Sequence, residues 1–236
     1  MKYLSLGLVF AMAGPCMADT LQVCLPDAEL NPQGRFSHEI INTDAGDYKV
    51  VNDAATGLQW SFCFVGQTLS ADQQSCDGIP LVPENPTPDD PQTPNQRKLL
   101  SEAVEAENHR IDTVNHSWHL PNTKQLLSIY NEACFPAYYP AFSYKIGLTE
   151  DEINTLADTE RDWTGDKSEQ STIDSFIAYR QGNAYRSLII MTDSALPSYS
   201  QYYYSVLFKH IETPLTTAGV GAKKHGMLRL VRNKPL

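Results

Sequence analysis

Four cysteines, Cys24, Cys63, Cys76 and Cys134, constrain this 236-residue chain more than any other feature. A fifth, Cys16, lies in a leader. Lys2 gives a positive start, Leu4 to Ala13 is an apolar run, and Cys16-Met-Ala18 offers small residues where a signal peptidase cuts. Residues 1–18 therefore read as a secretory signal peptide, cleaved before Asp19. Lipidation of Cys16 is the alternative, although Pro15 stands where a lipoprotein signal wants glycine or alanine. The apolar run is too short for a transmembrane span, and no other stretch offers one. Export leaves an even number of cysteines in an oxidising compartment, hence two disulfides and three possible connectivities. The short loop between Cys63 and Cys76, rich in turn residues (Gly66, Asp72, Asp77-Gly78), favours their pairing and leaves Cys24 for Cys134. No Cys-x-x-Cys occurs, which argues against a redox dithiol or a zinc knuckle.

A second anchor is Trp118-His-Leu-Pro-Asn-Thr-Lys-Gln-Leu-Leu127. Pro121 ends an extended segment, Asn122 is a good helix N-cap, and Gln125 completes a capping box. Leu126, Leu127, Ile129 and Tyr130 supply its apolar side. Another helix is expected from Asn95 to His109, with Leu99, Leu100, Ala103 and Val104 on one stripe. A short one is expected over Thr149–Asp158, where acidic residues favour the positive helix end.

The rest reads as strands and loops. Residues 19–34 form an extended lead-in. Arg35 to Asp53 predicts a hairpin around Asp44-Ala-Gly46, and Leu58 to Val65 an aromatic strand. Six prolines in residues 80–94 exclude a helix or central strand and predict an exposed, polyproline-like insertion. Phe135 to Phe142 predicts a buried irregular loop. Further strands are expected at Ser175–Arg180, Tyr185–Thr192, Gln201–Ile211 and Gly226–Arg232, with turns at Gln181-Gly-Asn183 and Asp193–Ser198 implying antiparallel pairing.

A net charge of −10, with a basic cluster from Lys223 to Lys234, argues against nonspecific binding to nucleic acid or anionic lipid. Catalytic signatures are missing. There is no G-x-S-x-G elbow, no dinucleotide or phosphate-loop glycine spacing, and no carboxylate pair singled out by spacing. His109, Asp112, His116 and His119 form the densest polar group. His116 and His119 lie three apart on an extended segment and face opposite ways, so no metal site is assigned and no cofactor is expected. The candidate contact residues are aromatic and basic. Tyr199 and Tyr203 are placed to stack on a sugar or a partner, and Lys223, Lys224 and His225 to hold a sulfated or carboxylated glycan.

Four patches, in order, resemble one family. They are Arg35-Phe36 with Val51-Asn-Asp-Ala-Ala-Thr-Gly-Leu-Gln-Trp60; Cys63-Phe-Val-Gly-Gln67 with Cys76-Asp-Gly78; Trp118-His-Leu-Pro-Asn122 with Leu126-Leu127 and Cys134-Phe-Pro-Ala137; and Met227-Leu-Arg-Leu-Val-Arg232. The set is similar to the Lcl C-terminal domain family, the adhesive module of a bacterial collagen-like surface protein. The core and closing motifs also resemble formylglycine-generating-type domains, without an obvious match to their catalytic cysteines. His119 and Gln125 depart from the family's usual arginine and glutamate. The resemblance implies an α+β, C-type-lectin-like fold, with two helices on a mixed, mostly antiparallel sheet under long loops. Residues 35–236 would form one domain, carrying the proline-rich insertion. Trp60, Trp118, Leu120, Pro121, Asn122, Arg229 and Arg232 would be its structural motif residues. The expected function is that of an exported, non-enzymatic binding module in the periplasm or at the cell surface, contacting a glycan or an envelope protein. A structural component of an envelope or pilus-like machine is the alternative, and oligomerisation is open in either case.

Overall fold

The computed structural model describes residues 22–83, 96–143, 188–196, 199–208, 216–217 and 226–235. The leader, most of the proline-rich insertion, the Thr149–Asp158 helix and the Ser175–Arg180 strand lie outside them.

The chain enters through β1 (Val23–Cys24) and a 3-10 turn at Pro32–Gly34. A hairpin follows, β2 (Phe36–Thr43) and β3 (Gly46–Asp53), in unbroken register from Phe36 opposite Asp53 to Thr43 opposite Gly46. Its turn is Asp44-Ala45, and Gly46 has φ +101°, where a side chain is strained. β4 (Leu58–Ser61) continues the sheet. This strand is shorter than the expected Leu58–Val65: after Ser61 the backbone turns away, and Cys63 is drawn into its disulfide. β5 (Thr68–Leu69) and β6 (Cys76–Asp77) form a small ladder under that bond.

Two helices come next, α1 (Gln96–Ile111) and α2 (Thr123–Leu127). The latter has both halves of the capping box, and it is only five residues long. β7 (Cys134–Phe135) pairs with β1, and the Cys24–Cys134 bond crosses that pair. β8 (Leu188–Leu196) and β9 (Tyr199–Phe208) form an antiparallel hairpin, with β10 (Thr216–Thr217) on the far side of β9. The turn expected over Asp193–Ser198 is instead largely strand: β8 runs through to Leu196, with its register shifted between Met191 and Ala195. β11 (Val231–Asn233) closes the main sheet, ordered β11-β4-β3-β2. The architecture is α+β, with two described helices and antiparallel ladders. No described helix is long and apolar enough to cross a membrane.

The segment 226–233 joins these parts. Met227 exchanges backbone hydrogen bonds with β8: the Met191 N–H donates to its carbonyl (3.0 Å) and its N–H donates to Ile189 (2.9 Å). The Leu228 carbonyl accepts from Val65 (2.9 Å), and Val231 exchanges bonds with His119 (2.9 and 3.0 Å). Its side chains alternate between two cores, as a strand's must. Met227 and Val231 enter one with Trp60, Phe142, Leu126 and Phe208; Leu228 and Leu230 enter the other with Trp118, Tyr48, Leu100 and Met191. β3 is buried on both faces for the same reason, Val51 facing the first core and Tyr48 and Val50 the second.

Candidate functional site

Several charged and amide groups of the interior are consumed by architecture. Arg229 is fully buried, its guanidinium donating to the carbonyls of Ser61 (2.7 Å), Phe62 (2.6 Å) and Ser143 and lying over the Phe64 ring at 4.2 Å. Burial lowers its pKa to about 10, because the charged form has lost its water. Arg232 lies over the Trp118 indole at 4.5 Å and donates to Gln59 (2.7 Å). The Asn108 amide meets the Trp118 backbone as a strand would, donating to its carbonyl (2.8 Å) and accepting from its N–H (3.1 Å). Arg35 clamps Asp53 with two hydrogen bonds of 2.7 and 2.6 Å, and Asp53 also accepts from Ala55 and Thr56 to fix the turn into β4. The ordered motif residues thus do framework work.

Where polar groups gather at the surface, they line a cleft of about 300 Å³. Its walls are the start of β3 (Asp47, Tyr48, Lys49), the β5 strand with Gln67, the loop from Ser70 to Gln73, and Arg110 from α1. The loop is held shut upon itself. The Ser70 hydroxyl donates to Asp72 (2.6 Å) or to the Ser75 carbonyl (2.7 Å), the Ser75 N–H donates back to Ser70 (3.0 Å), and the Asp72 carboxylate takes the Gln74 N–H (2.9 Å). The Cys63–Cys76 bond fastens its base. Lys49 reaches across to donate to the Gln73 carbonyl (2.7 Å) and sits over the Phe62 ring at 4.2 Å. Partial burial lowers its pKa, against the pull of Asp72. Arg110 is held by Glu107 through hydrogen bonds of 2.9 and 2.5 Å. The cleft therefore offers carboxylate, amide, hydroxyl and cationic groups on walls that are already braced.

The residues singled out in the sequence fare differently. Lys223, Lys224 and His225 lie outside the described residues. Tyr199 starts β9, and nothing further is described of its side chain. Tyr203 is half-buried and packs against the core that holds Trp118 and Met191, so much of its ring serves the interior. In the proline-rich insertion, Pro80, Val82 and Pro83 are buried rather than exposed, because the Leu81 N–H donates to Val65 (2.8 Å) and draws this end inward. His116 and His119 do face different ways. His119 Nδ1 lies 2.9 Å from the Leu120 carbonyl, whereas His116 turns toward α1 and joins Glu105 and His109.

No family model, curated protein or solved structure matches the chain.

The cleft was not singled out in the sequence because its walls come from separated stretches, Asp47–Lys49, Gln67–Gln73 and Arg110. Glu105 was missed as well, although its spacing of four to His109 on an expected helix was visible.

Proposed function

We propose that this chain is an exported, non-enzymatic recognition module with a C-type-lectin-like arrangement of the Lcl C-terminal kind. It contacts a glycan or a protein at the bacterial cell envelope. The observation that carries the reading is the braced polar cleft between β3 and the disulfide-bound loop. Its volume sits at the lower end of the roughly 300–1,000 Å³ typical of small-ligand sites, enough for one or two sugar units. Rigid walls favour binding, since little freedom is lost when a ligand enters. The two disulfides agree with an oxidising, extracytoplasmic setting, as does the leader expected from the sequence.

A glycan array probed with the mature, oxidised protein tests this. Asp47→Ala and Lys49→Met should abolish the strongest signals while leaving the melting temperature within a few degrees of wild type. Retained binding in both variants, with loss in Lys223→Ala/Lys224→Ala, would move recognition to the basic tail. A blank array together with stable co-purification of envelope proteins would favour the structural alternative.

A further inference from the structure

The last turn of α1 and the loop after it assemble a cluster that the cleft does not use. Glu105 and His109 are one helical turn apart and so project from the same face. The chain leaves α1 at Ile111 and doubles back. The Asp112 carboxylate accepts from the backbone of Asn115 (3.3 Å) and Ser117 (3.1 Å) and from the Ser117 hydroxyl (2.5 Å). His116 takes φ +48° within this turn, and its N–H donates to the Asp112 carbonyl (3.1 Å). The result sets His116 Nδ1 2.9 Å from Glu105 Oε1, the same oxygen that lies 3.3 Å from His109 Nε2. The two imidazoles meet edge to face with centroids 4.6 Å apart, and all three ligand atoms lie within 4.8 Å of one another.

We infer that Glu105, His109 and His116 form a binding site for a borderline divalent transition metal ion, with Zn²⁺ as the type case. A tetrahedral zinc ion with bonds of about 2.0–2.1 Å needs its ligand atoms about 3.3–3.4 Å apart. The two oxygen–nitrogen edges already stand at 2.9 and 3.3 Å. The third closes by rotation of His109, whose side chain is 65% exposed. Two imidazoles with a single carboxylate select zinc, nickel or copper; calcium and magnesium require a cage of oxygens. Asp112 is a positioning residue: its carboxylate is taken up by Asn115, Ser117 and an ion pair with Arg232 at 3.6 Å. Three protein ligands leave one tetrahedral position for water or for a donor atom on another molecule.

Calorimetric titration of mature, oxidised, tag-free protein with Zn²⁺ tests the site, with Co²⁺ absorption reporting the coordination. Wild type should bind one ion and give the intense visible bands of four-coordinate cobalt. His109→Ala, His116→Ala and Glu105→Ala should each weaken zinc at least roughly tenfold. Their melting curves in EDTA should stay within a few degrees of wild type, since Glu105 and His109 are exposed and His116 is half-buried at the edge of the turn. His119→Ala should bind as wild type does. No zinc binding by wild type, or undiminished binding in His116→Ala, overturns the inference. So does loss in His119→Ala with the three ligand variants intact.

Discussion

At the scale of single residues, the framework rests on charged groups whose partners are fixed. Burial pushes the Asp53 carboxyl up, but hydrogen bonds from Arg35 and Thr56 and the charge of Arg35 outweigh it and hold the group below its usual value. Asp112 is held low in the same way by Ser117 and Asn115, again against desolvation. A carboxylate with a depressed folded pKa contributes stability above its unfolded value of about 3.9 and loses it as pH falls through the folded one. Stability measured by urea titration should therefore fall from about pH 4 downward, and Asp53→Asn should flatten that slope while lowering stability at neutral pH by about 2–4 kcal/mol. Arg229 is a sharper case, because three buried carbonyls depend on one guanidinium. Arg229→Ala should destabilise by about 3–5 kcal/mol, a loss readable as a lower urea midpoint. The sequence placed Arg229 in a closing strand by resemblance. It did not say that the side chain would be fully buried, because the carbonyls it satisfies come from residues 61, 62 and 143.

At the scale of elements, local signals were legible and long-range ones were not. The Asp44-Ala45 hairpin and the Asn122–Gln125 capping box follow from neighbouring residues, and both are present. Asn122→Ala should cost about 1 kcal/mol, since one capping bond to the Gln125 N–H disappears. The end of β4 was set instead by a disulfide and by Arg229, both reaching from outside the strand. Hydrophobic alternation across Leu58–Val65 gave no notice of either. The buried start of the insertion is similar: proline density predicts no regular element, and it does not predict that Val82 fills a core. The Cys63–Cys76 bond closes a loop of 13 residues, so replacing both cysteines by serine should cost about 3 kcal/mol and loosen the cleft wall from Ser70 to Gln73. Hydrogen exchange across Thr68–Ser75 in that variant should quicken more than exchange in β3.

At the scale of the whole molecule, the segment from Gly226 to Asn233 holds β8, β4 and the Trp118 region together. Gly226 is where the approach is closest: a Cβ there would sit 2.9 Å from Ile189 Cγ2 and 3.1 Å from Met191 Sδ. Gly226→Ala should lower the melting temperature by several degrees, as β8 and the closing segment move apart. Trp118, buried between Tyr48 and Arg232, marks a second junction of the same kind. Framework residues thus account for the ordered motifs, and the recognition role proposed above falls to the surfaces between them, above all the cleft beside the disulfide loop. The most direct test is an amide chemical-shift map of the mature protein titrated with the oligosaccharide that scores highest on the array. Shifts should concentrate at Asp47–Lys49 and Thr68–Gln73. Shifts confined to Lys223–His225, or none at saturating sugar, would contradict recognition at the cleft.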